Sequence, residues 1–384
     1  MTQISDLIIQ QATAWRRSFH THPEIGLQEY KTSQVIQNIL KEMGLEVYSR
    51  FAGTGLVAIL KNGEGPMIGL RADIDALPMQ EHNHFSHCSQ HEGAMHACGH
   101  DGHTAILLGA ALHLSQTKSF KGSVCFIFQP AEENAGGARM MLEDGLLDQF
   151  PIEEVYALHN WPGLPVGEVV VNDAAMMASQ DNFYITLTGA GCHAAMPEKG
   201  ADPVIAGAQL IIALQTLVSR RLSPLEQTAI SLTQVHAGEA INVIPEKLTL
   251  SGTLRCLKNS TRKLCWQLIE EYVQSVPATY GVKGAIEWKY GYPVTCNHAD
   301  AATKLRQAAS TVSGIQQVHH QVPASMAAED FSYFLEARPG AYFWLGADGQ
   351  QPSASLHNPH YDFNDDLLKL GIGIWVSLIE QLLN

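Results

Sequence analysis

Four segments of the chain carry side chains that could bind metal ions and activate water. The densest covers residues 95–103 and places one thiol, three imidazoles and one carboxylate within nine residues. Three shorter segments follow it, at residues 129–133, 158–160 and 356–359. Together they supply enough ligands for two metal ions, and this pattern predicts a metal-dependent hydrolase.

Cys98 and His100 are close enough in sequence to bind one metal site. A thiolate and an imidazole suit Zn²⁺, Co²⁺, Ni²⁺ or Mn²⁺ better than Mg²⁺ or Ca²⁺, and Mn²⁺ tolerates the thiolate least. Cys98 considered alone would more often be a buried core cysteine. Its position beside His100 and Asp101 in a glycine-rich turn favours a ligand.

Glu132 and Glu133 are adjacent carboxylates that could divide two tasks between them. One can bind a metal ion, while the other accepts a proton from water and passes it to the leaving amine. A solvated acidic turn is the alternative. The apolar strand predicted before them and the pair Gly136-Gly137 after them favour a functional site.

His159, at the end of an apolar strand, and His357, in a polar turn, are further candidate ligands. For each alone, a hydrogen-bonded structural histidine is an equal alternative. Asp73 and Asp75 could orient the ligating imidazoles by hydrogen bonds, or could be simple turn carboxylates. His82, His84, His87 and His91 form a looser polar set, for which we predict a surface loop and no ligand role.

The composition is that of a globular protein with a net negative charge. The 384 residues predict two domains, and the net charge of −14 argues against a nucleic-acid or anionic-membrane partner. The seven cysteines include no Cys-x-x-Cys pair, and residues 1–20 predict an amphipathic helix without the features of a signal peptide. The apolar stretches 105–112 and 204–214 are too short to span a bilayer. We therefore expect free thiols and a cytoplasmic protein.

Strand-like and helix-like segments alternate in the first half of the chain, which predicts a layered α/β/α domain. The middle of the chain has the order β-α-β-β-α-β, which is typical of an inserted ferredoxin-like α+β domain. We place the larger, discontinuous catalytic domain at residues 1–177 and 291–384. The inserted domain is predicted at residues 178–290.

The chain resembles the amidohydrolase branch of the aminoacylase/carboxypeptidase G metallopeptidase family. This branch includes hippurate hydrolases, N-acyl-L-amino acid amidohydrolases and indole-acetyl-amino acid hydrolases. The matching motifs run nearly end to end, at residues 17–24, 70–78, 95–103, 128–133, 158–162, 189–197, 238–245, 252–255, 328–331 and 356–359.

The resemblance implies two divalent metal ions in each subunit, Zn, Mn, Co or Ni. Cys98 would bridge them, Glu132 would be the general base, and the remaining ligands would be His100, Glu133, His159 and His357. From their residue type and position, Asp73, Asp75 and Asp101 are predicted to support the ligands from outside the coordination sphere.

The resemblance also implies that the inserted domain is a lid and a homodimer interface. His193 would stabilise the tetrahedral oxyanion, and Asn242 and Arg255 would contact substrate. A salt bridge within the lid is an equal alternative for Arg255. The chain departs from the family at Cys192, where a small residue is common, and in its histidine-rich loop.

The leading hypothesis is hydrolysis of N-acyl amino acids. A second hypothesis keeps the site and changes the substrate, to N-acetyl-diaminopimelate, a dipeptide or a folate-like conjugate. A third, remote hypothesis is a metal-binding protein without catalysis; the presence of Glu132 argues against it.

Overall fold

The computed structural model describes residues 4–351 and 353–384. These residues form two compact units. Unit 1 comprises the described residues of Met1–Met176, Cys296–Pro323 and Asp330–Asn384, and unit 2 comprises Met177–Thr295 and Ala324–Glu329. Met177 and residues 291–295 and 324–329, which we assigned to the larger domain, therefore belong to unit 2.

Helices and strands alternate through most of the chain. In chain order the helices are α1 (Asp6–Thr21), α2 (Tyr30–Glu42), α3 (His100–Thr117), α4 (Gly137–Glu143), α5 (Leu146–Gln149), α6 (Pro203–Arg220), α7 (Asn259–Ala278), α8 (Ala299–Ser310), α9 (Ser332–Ala337) and α10 (Asp366–Leu382). The strands are β1 (Glu46–Phe51), β2 (Gly55–Asn62), β3 (Met67–Asp73), β4 (Gly122–Gln129), β5 (Ile152–Pro165), β6 (Glu168–Val170), β7 (Ala175–Met177), β8 (Asp181–Thr188), β9 (Cys192–His193), β10 (Thr228–Ala237), β11 (Val243–Ile244), β12 (Lys247–Cys256), β13 (Lys283–Tyr290), β14 (Thr295–Cys296), β15 (Gln317–His319) and β16 (Gly340–Asp348).

Unit 1 is built on a mixed sheet in the order β1-β2-β4-β3-β5-β16-β6-β15. Its central strands β4, β3, β5 and β16 run parallel to one another, so their carboxyl ends lie at one edge. Every residue of β4 is buried, which requires cover on both faces of the sheet. The predicted layered α/β class is confirmed, and the carboxyl edge is where such sheets place their sites.

Packed helices cover the sheet of unit 1. α3 contacts both α1 and α10. The small residues of α3 allow this close approach, since a Cβ at Gly109 would lie 2.4 Å from Ile372 Cδ1 on α10. The N-terminal helix predicted over residues 1–20 is α1, which begins at Asp6; residues 1–3 lie outside the described residues.

Unit 2 contains an antiparallel sheet in the order β10-β12-β8-β13. Helices α6 and α7 pack against each other and against this sheet. Phe183, Ile185 and Leu187 of β8 alternate with more exposed residues and join the core. This is the ferredoxin-like arrangement predicted for the inserted segment.

One helix in the described part of the chain, α6, is long and apolar enough to cross a membrane by length and composition. We expected residues 204–214 to be too short to do so, and the helix extends beyond that stretch on both sides. Ala206, Leu210, Leu214 and Leu217 of α6 are buried in the core of unit 2. A helix that packs on a core sheet can have this composition, so a single such segment is weak evidence for a membrane span.

Candidate metal centre

Cys98, His100 and His159 come together in unit 1. One potential ligand atom from each lies within 4.8 Å of the others, and Cys98 Sγ is 3.4 Å from His159 Nε2. All three side chains are buried. His159 lies within β5 rather than at its end, because the strand continues to Pro165. A buried thiol beside two imidazoles is a donor set suited to zinc and similar cations.

Glu133 and His357 add a carboxylate and a third imidazole to this group. Potential ligand atoms of Cys98, Glu133 and His357 lie within 4.8 Å of one another. Glu133 Oε1 is 3.2 Å from His357 Nε2 and 3.9 Å from His100 Nε2. The fold thus brings together all five side chains that the resemblance implied as ligands, although they come from widely separated parts of the sequence.

Two buried polar atoms of this group indicate whether a metal ion would fit there. Among the described residues, His100 Nε2 and Glu133 Oε1 are buried without a hydrogen-bond partner. Glu133 Oε1 lies 3.2 Å from His357 Nε2, which is itself a potential ligand atom. Burying such atoms unpaired costs free energy, and a cation would satisfy both. The thiol, three imidazoles and carboxylate therefore fit divalent cations.

The electrostatics of the group also favour positive charge. Burial lowers the pKa of His100, but Asp73, Asp75 and Glu133 outweigh it and raise that pKa to about 10. Burial and the nearby Glu133 hold the pKa of the Cys98 thiol well above its ordinary value. In the metal-free chain, His100 and Cys98 thus keep their protons beside the negatively charged carboxylates. Bound cations would displace those protons.

Asp75 joins two of the candidate ligands. His100 Nδ1 lies 3.0 Å from Asp75 O and 3.2 Å from Asp75 Oδ1. The other carboxylate oxygen, Oδ2, accepts a 3.0 Å hydrogen bond from the main-chain nitrogen of Glu133. His100 Nε2 takes no part in these contacts and lies 3.7 Å from Asp73 Oδ2 and 3.9 Å from Glu133 Oε1. Holding one ring nitrogen in this way fixes the orientation of the other.

Asp73 supports the same region through other partners. It accepts a 2.6 Å hydrogen bond from Arg71 Nη1, and its Oδ1 lies 2.6 Å from His103 Nδ1. Its other oxygen is 3.7 Å from His100 Nε2. His103 also lies 2.6 Å from Asn160 Oδ1. No role is predicted for His103 from the sequence, although its position one turn after His100 on α3 was the available signal.

The turn before α3 directs Cys98 and His100 to the same place. Gly99 has a φ of 89°, a left-handed conformation that favours glycine. A Cβ at this position would lie 2.3 Å from Asn160 Oδ1, so the packing also excludes a side chain. The run of small and apolar residues at 104–115 predicts a helix that starts at Thr104, whereas α3 begins four residues earlier, at His100.

Asp101 has buried partners on α1 instead of contacting the ligand group. Its Oδ2 lies 2.9 Å from His20 Nδ1 and 3.7 Å from Arg16 Nη1. His20 Nε2 lies 3.2 Å from Glu81 Oε1. Burial opposes a charged His20, but Asp101 and Glu81 raise the pKa of His20 to about 9. No sequence motif joins these residues, because they come from three separate segments.

Glu132, the candidate base, is buried next to the ligand group. Potential ligand atoms of His100, Glu132 and Glu133 lie within 4.8 Å of one another. The Oε1 atom of Glu132 accepts a 3.3 Å hydrogen bond from the main-chain nitrogen of Asp330. Glu132 is thus placed where a carboxylate could exchange protons with a molecule bound at the group.

The three candidate residues of unit 2 lie on its strands and loops. His193 on β9 pairs with Val243 on β11, and Ala194 N donates a 3.0 Å hydrogen bond to Asn242 O, so His193 and Asn242 are close. Arg255 lies on β12. Within the described residues its Nη1 atom is buried without a hydrogen-bond partner. Burial lowers the pKa of Arg255, and it is the unpartnered Nη1 atom that makes the guanidinium a candidate anion contact.

The histidine-rich segment has no regular secondary structure, as expected of a loop. His87 Nε2 lies 3.1 Å from Asp362 Oδ2, and His91 Nδ1 lies 2.7 Å from Pro23 O. Neither belongs to a group of three potential metal-binding side chains in residues 4–351 and 353–384, and the same holds for His82 and His84.

Comparison with known proteins identifies the class to which this fold and site belong. Residues 69–381 match the model of peptidase family M20/M25/M40, and the chain belongs to that family. It is 39% identical to an N-acetyl-L-cysteine deacetylase of Bacillus subtilis over 93% of this chain and 84% of that protein. It is 38% identical to a hippurate hydrolase of Campylobacter jejuni over 94% of each chain.

A solved structure agrees with this assignment. A dinuclear metal-binding peptidase of the M20 family from Bacillus subtilis superposes with a TM-score of 0.87, at 33% identity over 99% of both chains. The predicted membership in the amidohydrolase branch is confirmed. The chain is a metal-dependent amidohydrolase.

Proposed function

We propose that this protein hydrolyses the amide bond of N-acyl amino acids with two divalent cations per subunit. The observation that carries the proposal is the group formed by Cys98, His100, Glu133, His159 and His357, with Glu132 beside it. The relatives named for N-acetyl-L-cysteine and hippurate support the substrate class, since both of those compounds are N-acyl amino acids.

The five side chains of that group would hold the cations. Bound there, the cations would polarise the amide carbonyl and lower the pKa of water. Glu132 takes a proton from the attacking water and delivers it to the leaving nitrogen, which must be protonated before it departs as an amine. Asp75 keeps His100 and the Glu133 segment in place during these steps.

Three residues of unit 2 are our proposed substrate contacts. His193 stabilises the oxyanion of the tetrahedral intermediate, an effect worth about 3 kcal/mol for one well-placed donor. Arg255 pairs with the substrate carboxylate, for which its unpartnered Nη1 atom is suited. Asn242 contributes a polar contact to the same substrate.

The protein forms a homodimer through unit 2 and works in the cytoplasm. Ile205 and Ile212 on α6 and Val235 on β10 are apolar and more than half exposed, and such residues support an interface with a second copy. The free cysteines support a reducing compartment. Sedimentation of the wild type against Ile212→Glu tests the dimer, and cell fractionation tests the location.

The test of the activity is amino-acid release from a panel of acetyl-methionine, acetyl-cysteine, benzoyl-glycine, indole-acetyl conjugates, acetyl-diaminopimelate and dipeptides. Chelated protein is assayed alone and after addition of Mn²⁺, Co²⁺, Ni²⁺ or Zn²⁺. We expect metal-dependent release from N-acyl amino acids. Release only from acetyl-diaminopimelate or dipeptides would mean that these compounds are the substrate class. Metal binding without any release would refute the catalytic proposal.

Glu132→Gln tests the base directly. We expect this variant to retain both cations and the fold but to lose about 10²- to 10⁴-fold in kcat, because the amide cannot accept the proton. The matched control is Glu143→Gln, which alters an exposed carboxylate on α4 and leaves kcat unchanged. A Glu132→Gln variant with near-normal kcat would remove Glu132 from this role.

A further inference from the structure

The segment that carries Glu132 and Glu133 begins with a strained residue. Ala131 has a φ of 54°, in the left-handed region that costs a non-glycine residue about 1 kcal/mol. The carbonyl of Ala131 accepts hydrogen bonds from the main-chain nitrogens of Ala135, Gly136 and Gly137 at 3.1–3.3 Å. The turn is therefore tightly closed, and its conformation must be held by contacts from outside.

Glu29 supplies one such contact. It is fully buried, and its Oε1 accepts a 2.9 Å hydrogen bond from the main-chain nitrogen of Ala131. Its Oε2 accepts a 2.7 Å hydrogen bond from Thr54 Oγ1. Glu29 also stands at the start of α2, yet its side chain makes no capping hydrogen bond to that helix. Burying a carboxylate costs several kcal/mol, so its role lies in these two contacts.

A second carboxylate holds the other side of Glu132. Asp75 Oδ2 accepts from the main-chain nitrogen of Glu133, as described above. The amides immediately before and after Glu132 are therefore bound by two acids, Glu29 and Asp75. This pair of contacts fixes the backbone from which both the candidate base and a candidate ligand project.

The geometry points to Glu29 as a positioning residue for hydrolysis: by binding the Ala131 amide it sets the direction of the Glu132 and Glu133 side chains. The inference rests on the proposed function, in which Glu132 is the base and Glu133 a ligand. Glu29 belongs to none of the candidate metal-binding groups found in residues 4–351 and 353–384. Its effect passes through the backbone, and displacement of a catalytic group by about 1 Å can cost about 10²-fold in rate.

The electrostatics indicate which substitution preserves the contact. Burial, followed by the nearby Asp75, raises the pKa of Glu29 to about 7. We therefore expect this position to accept a neutral side chain of the same shape. In Glu29→Gln the amide oxygen can still accept from Ala131 N, and the amide nitrogen can donate to Thr54 Oγ1.

The experiment compares wild type, Glu29→Ala, Glu29→Gln and the control Glu24→Ala. Glu24 lies in the same segment, but its carboxylate binds Thr32 and not Ala131. Two measurements are made on each protein. The first is hydrogen–deuterium exchange of residues 130–137 in the metal-free chain, and the second is kcat and KM with saturating metal on the best amide substrate of the wild type.

In Glu29→Ala we expect the main-chain amides of residues 130–137 to exchange hydrogen for deuterium faster than in the wild type. We also expect kcat to fall about tenfold to a hundredfold, with KM changed less than twofold. Glu29→Gln should recover most of kcat with an unchanged pH profile, and Glu24→Ala should match the wild type. Normal exchange and normal kcat in Glu29→Ala would overturn the inference.

The conservative variant decides the question if Glu29→Ala does not fold. A folded Glu29→Gln with kcat lost as in Glu132→Gln would also overturn the inference, because it retains the acceptor. Failure of the wild type to hydrolyse any N-acyl amino acid would instead refute the proposed function, and the exchange measurement would still report on the contact.

Discussion

The buried network around His20 makes the stability of unit 1 depend on pH. The pKa of His20 is raised from 6.5 to about 9, although burial alone would lower it, because Asp101 and Glu81 stabilise the charged ring. The difference between the pKa values of about 9 and 6.5, multiplied by 1.36 kcal/mol per pH unit, gives a contribution of about 3 kcal/mol to the free energy of unfolding.

The direction of this dependence follows from the raised pKa. Below pH 6.5 the ring is charged in both the folded and the unfolded chain, and the full stabilisation is present. As the pH rises towards about 9, the unfolded ring is neutral while the folded ring must hold its proton, so the stabilisation is lost. His20→Gln removes the titrating group and should flatten this part of the profile.

The assay is urea unfolding of the metal-free chain between pH 6 and pH 9.5. We expect the free energy of unfolding of wild type to fall by about 3 kcal/mol more than that of His20→Gln over this range. His22→Gln alters an exposed histidine two residues after His20, and this variant should keep the wild-type slope. Equal slopes for wild type and His20→Gln would refute the reasoning.

Two further predictions concern the metal and substrate contacts. Asp75→Asn should weaken metal binding by about 10- to 100-fold, measured by competition with a chelating dye, because Asp75 holds His100 and the Glu133 amide; unchanged affinity would contradict this support role. Arg255→Gln should raise KM about tenfold or more for substrates with a free carboxylate and leave KM unchanged for the corresponding amides. Equal effects on the acid and the amide would assign Arg255 to the structure of unit 2.

Much of the architecture could be predicted because it depends on local pattern. Alternating burial in β8 follows the alternation of Phe183, Ile185 and Leu187 with polar neighbours. The small residues of α3 also predict close helix packing. The predicted boundaries erred where the signal is weak: α3 begins at His100, since glycine at position 99 can adopt the left-handed conformation that starts the helix there.

The site was only partly predictable. Residue types and spacing identified the candidate ligands, because thiols, imidazoles and carboxylates bind metals wherever they occur close together. Asp101 was predicted to support the ligands, and its buried contacts are instead with His20 and Arg16. No spacing rule links Glu29 to Ala131, because the hydrogen bond joins segments that meet only through packing.

The sequence by itself determined the class of fold, the set of donor atoms and the likeness to a metal-dependent amidohydrolase. The fold class and the donor atoms follow from hydrophobic periodicity and from the intrinsic chemistry of side chains, which are local properties, and the likeness follows from the family motifs that the chain carries. Only the tertiary structure decided that His357 lies 3.2 Å from Glu133, that one carboxylate of Asp75 joins two ligand segments, and which charges share a buried network. Such contacts depend on how the parallel strands and the loops at their ends pack, and that packing minimises the free energy of the whole unit rather than of any one segment.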